Sequence, residues 1–305
     1  MTGSPELPSA ARSAILAWYD VNGRSLPFRG TRDPYAILVS EAMAQQTQAA
    51  RAGEAWIRFL ARFPTVQALA AARPSEVLRA WQGLGYNRRA LALWRAAQAI
   101  VTDHGGVVPS DLAALEALPG VGPYTARAVA AIAFGVPVGA VDTNVRRVLG
   151  RIVAGDADAL GRPAMQRLAD TAVPVERPGD WTHAVMDVGA TICRSGRPKC
   201  GACPARAWCA YGRRACDGID GEQPAMPGRR ARRPSPAFPT TSRWLRGRIM
   251  DRLRAASDGE WVELAGPIGS HDADAVATAV RALASEGLIE HDPSATTMTA
   301  RLPIG

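Results

Sequence analysis

Residues 112–134 read LAALEALPGVGPYTARAVAAIAF. An apolar helix leads into the turn Pro119-Gly120-Val121-Gly122, and a second apolar helix leaves it. Two glycines permit a tight turn and close backbone approach, and the N–H groups opening the second helix then make an anion site. Such a turn, formed by Gly120, Val121 and Gly122, suits one DNA phosphate without reading base sequence. A G-x-G alone fits any short αα-hairpin. The full pattern L-x-x-L-P-G-V-G-x-x-x-A is far more specific.

Outward from this hairpin the helical periodicity continues. Apolar residues recur at helical spacing over 9–22, 35–51, 53–62, 75–81, 88–104 and 111–117, then over 123–134, 143–152, 163–172 and 181–192. Punctuation such as Asp33-Pro34, Arg73-Pro74 and Gly105-Gly106 separates them. No strand-like alternation interrupts residues 9–215, so this region is expected to be all-α. With 305 residues, 47% apolar and 21% charged, the chain has globular composition and length for one large or two moderate cores. It lacks the run of roughly 18 apolar residues that a membrane-spanning helix needs. No export signal is visible, so a cytoplasmic location is expected, nucleoid-associated in a bacterium. The net charge of +8 favours polyanionic partners, nucleic acid first. Almost all of that positive charge is arginine, and Lys199 is the only lysine.

The expected domains are a core over 1–216, a linker over 217–242 and a small module over 243–305. The linker is rich in Pro, Gly and Arg, and its Arg229, Arg230, Arg232 and Arg233 suit either a solvated tether or DNA phosphate. The last segment shows two amphipathic helices near 243–256 and 272–286, then a hairpin around Asp292-Pro293-Ser294. Helices followed by a short hairpin suggest a winged-helix-like module, expected to contact DNA or a partner protein.

Cys193, Cys200, Cys203 and Cys209 follow C-x6-C-x2-C-x5-C, and the chain has only five cysteines. Four thiols in a Gly- and Pro-containing segment are poor core material and fit a single metal centre, either zinc or an iron–sulfur cluster. The spacing is not that of a secreted disulfide framework.

The hairpin, then V-D-T-N-V-x-R-V-L with Asp142, then the four cysteines together resemble the endonuclease III superfamily of helix-hairpin-helix DNA glycosylases over residues 9 to about 215. The resemblance implies a six-helix barrel plus an iron–sulfur domain, and a 4Fe-4S cluster on the four cysteines rather than zinc. It also turns Arg194, Arg197 and Lys199 of the cluster loop toward DNA. Bifunctional members carry a lysine nucleophile at the hairpin; the matching position here is Tyr124. The expectation is therefore a monofunctional glycosylase that removes a base without cutting the strand.

Residues 33–50, DPYAILVSEAMAQQTQAA, place Glu41 among apolar neighbours on a helix, where burial raises a carboxyl pKa. S-E-x-M-x-Q-Q-T is similar to the MutY-type adenine glycosylases. That likeness implies that Glu41 protonates adenine and that Asp142 stabilises the cationic sugar. Asn144 would orient Asp142, and Tyr124 would lie against the sugar. Asp142 also suits a helix N-cap. The same likeness makes Gln45, Gln46 and Thr47, with Leu84, Gly85 and Tyr86, the segments that fill the space of the flipped adenine and surround the opposite base. Arg29 and His183 are further pocket candidates. Phe28, Ala44 and His183 depart from the family's usual residues, and the module over 243–305 is too short for the Nudix-like domain of longer members. The expected partner is duplex DNA with adenine opposite 8-oxoguanine or guanine, bound by a monomer. Two other readings are a thymine/uracil mismatch glycosylase and a non-catalytic DNA-binding module. Glu41 followed by Gln45-Gln46-Thr47 favours adenine over the first, and retention of both Glu41 and Asp142 opposes the second.

Overall fold

The structure, a computed structural model, describes residues 6–216 and 237–305. The arginine-rich stretch over 229–233 and the side chain of Cys216 lie outside the described residues. The chain forms two compact units from separated stretches: 6–41, 109–117 and 121–216 in the first, and 42–108, 118–120 and 237–305 in the second.

The first unit holds α1 (Ser9–Asn22), most of α2 (Pro34–Ala44), α7 (Leu112–Ala117) and α8 (Pro123–Phe134). It continues through α9 (Thr143–Ala154), α10 (Arg162–Ala172), α11 (Pro178–Thr191) and α12 (Ala210–Cys216). Helix α11 packs on α1, α8 and α9. Ile15, Val148, Leu149, Leu168, Trp181 and Val188 are buried in the core between them. Both α8 and α9 stop at a glycine in the left-handed region, Gly135 and Gly155, as helix C-termini favour.

The second unit holds α3 (Ala49–Arg62), α4 (Val66–Ala70), α5 (Pro74–Ala80) and α6 (Arg88–Asp103). Phe59, Phe63 and Trp81 form edge-to-face pairs in its interior, with centroids 5.0 and 5.9 Å apart. Its C-terminal part is α13 (Ser242–Ala255), β1 (Val262–Glu263), α14 (Ala273–Ser285), β2 (Glu290–His291) and β3 (Thr299–Arg301). The strands pair antiparallel in the order β1-β3-β2, with Val262 opposite Ala300 and Glu290 opposite Arg301. Asp292 accepts from the Ser294 N–H at 2.8 Å at the start of the expected β2–β3 hairpin. The preceding strand, β1, is too short to show alternation in the sequence.

Two expectations about elements need correction. The helix expected over 35–51 is two helices, broken between Ala44 and Ala49, with Gln46 at φ 56°. The break is stabilised from elsewhere: Arg89 donates to the carbonyls of Ala42, Met43 and Gln45, taking the place of the N–H groups a continued helix would supply. The short helix α4, capped by the Thr65 hydroxyl on the Ala68 N–H, was not expected.

Candidate active site

Helix α2 runs apolar from Tyr35 to Val39, all buried, which seats Glu41 at the edge of the first unit's interior. Desolvation pushes its carboxyl up to about 7. The nearby charge of Asp142 adds to the rise, while a hydrogen bond from Tyr124 and the charge of Arg29 oppose it. Tyr124 lies in the first turn of α8, immediately after the Gly122 N-cap and Pro123. Its hydroxyl sits between Glu41 and the Met186 Sδ, the latter 3.8 Å away. Burial, followed by the charge of Glu41, keeps this phenol far above its ordinary pKa, so it remains neutral.

Asp142 is the N-cap of α9. One carboxylate oxygen accepts from the Val145 N–H at 2.7 Å and the other from Asn144 Nδ2 at 2.8 Å. The cap thus orients the carboxylate as well as the helix. Asn144 is held in turn by Arg147, whose Nη2 donates to Asn144 Oδ1 at 2.7 Å. The same guanidinium reaches the carbonyls of Gly189 (2.8 Å) and Cys193 (2.6 Å). Helix α11 can pass this close because Gly189 lacks a side chain: a Cβ there would meet Asn144 Cβ at 2.5 Å.

Arg29 ends the short 3-10 turn Pro27–Arg29 and is fixed by Asp187, with contacts of 2.5 and 2.7 Å. Asp187 is fully buried and also accepts from the backbone and side chain of Arg24. Burial works against its ionisation, but the bonds from Arg29 and Arg24 outweigh it and hold the carboxyl below its ordinary range. The Arg29 Nε is buried and, among the described residues, has no hydrogen-bond partner. His183 lies beside this cluster, its ring 6.4 Å from that of Tyr19. Burial, reinforced by the Arg29 charge, lowers it to about 4, so it is neutral at neutral pH.

The four cysteines converge. Cys193, Cys200, Cys203 and Cys209 line one cavity with Val148, Ile192 and Tyr211. Among the described residues, no three His, Cys, Asp or Glu side chains gather as a single metal ion requires. The donor set nevertheless fits a larger thiolate-ligated group. Backbone N–H groups of Gly212 (3.3 Å) and Tyr211 point at the Cys209 sulfur, and that of Ala205 at the Cys203 sulfur. Arg151 donates to the Cys193 sulfur at 3.5 Å. Burial drives the Cys203 thiol up to about 11, so its thiolate form calls for a cationic partner such as iron. Arg194, Arg197 and Lys199 are all exposed on the intervening loop.

In the hairpin turn, Gly120 is exposed at φ 77° and Gly122 has open space where a Cβ would be, while Val121 is buried. In the second unit, segments 45–47 and 84–86 are joined by Arg89. Besides the α2 carbonyls it donates to Thr47 Oγ1 and to the carbonyls of Leu84 and Gly85, between 3.2 and 3.3 Å. Trp81 supports the same loop, donating its indole N–H to Gly85 at 3.1 Å. Gln46 is exposed, Gln45 and Thr47 are half-buried, and Leu84 is buried beneath the loop. Tyr86 is 46% exposed and, at φ 46°, occupies a left-handed conformation unusual for a bulky residue. Sequence reasoning assigned no role to Arg89, Arg147 or Asp187. Arg89 lies three residues beyond Tyr86, and Arg147 is the arginine of V-D-T-N-V-x-R-V-L, so both stand beside residues with an expected role; for Asp187 nothing local marks the distant partners Arg24 and Arg29.

The HhH-GPD superfamily of base excision DNA repair proteins matches residues 39–172. The chain is 46% identical over 247 residues to an adenine DNA glycosylase of Mycobacterium tuberculosis, covering 79% of this chain and 78% of that protein. It is 34% identical over 202 residues to a thymine/uracil-DNA glycosylase of Methanothermobacter thermautotrophicus, covering 65% and 91%. The structure of a thermostable thymine-DNA glycosylase superimposes with a TM-score of 0.63 at 33% identity, covering 67% of this chain and 95% of that one. Higher identity over a longer stretch falls on the adenine side, and the chain belongs to the HhH-GPD superfamily of base excision DNA repair proteins, among its adenine DNA glycosylases.

Proposed function

We propose that this protein hydrolyses the N-glycosidic bond of adenine mispaired with 8-oxoguanine or guanine in duplex DNA, and leaves the strand uncut. The observation that carries the reading is Glu41, whose carboxyl is raised to about 7 within the field of Asp142 and under the hydroxyl of Tyr124. A carboxyl that is half protonated near neutrality can donate to adenine N7. The C1′–N9 electron pair then leaves with the base. Asp142, its oxygens fixed by Val145 and Asn144, faces the positive charge left on the sugar. Glu41, now a carboxylate, accepts a proton from the water whose oxygen adds to C1′. Neutral His183 and the Arg29 Nε line the base pocket. Gly120, Val121 and Gly122 take one phosphate, and segments 45–47 and 84–86 hold the opened duplex around the opposite base. Cys193, Cys200, Cys203 and Cys209 would hold a 4Fe-4S cluster, which supplies structure to the loop carrying Arg194, Arg197 and Lys199 toward DNA.

The relatives' names support adenine as the base. The nearby thymine/uracil relative keeps the second reading open to a direct assay. Labelled duplexes with A opposite 8-oxoguanine, A opposite G and T opposite G should give alkali-dependent cleavage at adenine only. Borohydride should trap no covalent complex, since Tyr124 replaces the lysine. Cleavage without alkali, or at T opposite G alone, would sink the assignment.

A further inference from the structure

The C-terminal module touches the loop that presents Tyr86. Helix α13 lies along that loop with two arginines eleven residues apart, which is three helical turns and therefore one face. At its C-terminal end, the largely buried Arg254 donates to Asn87 Oδ1 at 2.7 Å and to the Leu78 carbonyl at 2.9 Å. Beyond the helix, Asp258 accepts from Ser75 at 2.7 Å and from Arg79 at 2.8 Å. At its N-terminal end, the Arg243 guanidinium carbon lies 4.8 Å from the centre of the Tyr86 ring. Arg89 approaches the same ring to 5.5 Å.

The arginines of α13 differ in whether a carboxylate compensates them, and only Arg243 also lies against the Tyr86 ring. Arg254, Arg246 and Arg248 are each paired with a carboxylate, Asp251 or Glu286. Arg243 is exposed and, among the described residues, forms no ion pair. An uncompensated guanidinium beside an exposed aromatic at a loop tip suits nucleic acid, where stacking and phosphate contact occur together. The left-handed backbone at Tyr86 also means that this ring is held in place by its neighbours rather than by local preference.

We propose that Arg243 belongs to the DNA-reading surface. It fixes the Tyr86 ring for insertion beside the base opposite adenine, and it takes a backbone phosphate at that point. The inference rests on the reading of Tyr86 as the inserting residue.

The test uses the full chain and a duplex carrying 2′-fluoro-deoxyadenosine, which resists excision, opposite 8-oxoguanine. A 2-aminopurine beside the 8-oxoguanine reports local unstacking. Arg243→Ala should weaken binding about 10-fold at moderate salt and lower the slope of log K against log salt by about one. It should also diminish the 2-aminopurine signal. Arg243→Lys should restore the salt slope but not the signal, because an ammonium does not stack as a guanidinium does. Because Arg243 is exposed, an unchanged thermal midpoint verifies the fold. Wild-type affinity, slope and fluorescence in Arg243→Ala overturn the proposal while Tyr86→Ala still loses the signal. A slope change without a fluorescence change overturns it too, since the positioning role is then gone. If Tyr86→Ala itself behaves as wild type, the underlying reading of Tyr86 fails instead.

Discussion

At the scale of single residues, the proposed chemistry depends on one carboxyl being harder to ionise than usual. For Glu41 the sign is clear: a pKa raised from 4.5 to about 7 lets the unfolded chain release its proton first. The group therefore costs native stability progressively as pH rises from about 4.5 to 7, and that cost persists above. Glu41→Gln should melt higher than wild type at pH 8, by on the order of 1–3 kcal/mol, and should lose the advantage at pH 4. Thermal melts at the two pH values check this without any activity. The same variant should bind duplex DNA and excise no adenine. Wild-type single-turnover excision should fall by one proton's slope above about pH 7. Asp187 carries the opposite kind of burden. Asp187→Asn leaves Arg24 and Arg29 without their anion and should cost about 3 kcal/mol, read as a lowered denaturant midpoint.

At the scale of elements, two close approaches decide where functional groups sit. Gly189→Ala adds a methyl that collides with Asn144, so excision should drop at least 10-fold while duplex affinity changes little. Equal losses in both would mean that α11 has shifted as a whole. The break in α2 depends on Arg89, and Arg89→Ala should free segments 45–47 and 84–86, seen as faster amide exchange there. These dependencies explain what the sequence did and did not disclose. The hairpin, Asp142 and the cysteines were legible because each is written in consecutive residues. The helix expected over 35–51 was misread because its stop lies on α6, in Arg89, and no local breaker stands at Ala44. The Asn144–Arg147–Gly189 contacts were hidden for a similar reason: spacing within α9 cannot name the carbonyls of α11. Leu84 shares the motif of Tyr86, yet its side chain is buried while the Tyr86 ring is exposed.

At the scale of the whole molecule, each described unit carries a distinct share of the proposed work. The first unit holds both carboxylates and the cysteine loop, whose Cys193 carbonyl is bonded to Arg147. If the four cysteines hold the proposed cluster, Cys203→Ser should abolish its visible absorption and also slow excision by the folded remainder, more than a remote loop would. Absorption and single-turnover rates measured on the same preparations check the link. The second unit holds segments 45–47 and 84–86 together with the C-terminal module.

Lys199 has a practical consequence for following all of this. It is exposed, lies between Cys193 and Cys200 and is the chain's one lysine. A lysine-specific endoproteinase consequently has a single internal target, and that target sits within the segment the metal would brace. Nicking there produces two fragments of predictable size, so a simple gel becomes a footprint of loop order. Protection by duplex DNA, or by intact iron, can be scored band against band with no label introduced.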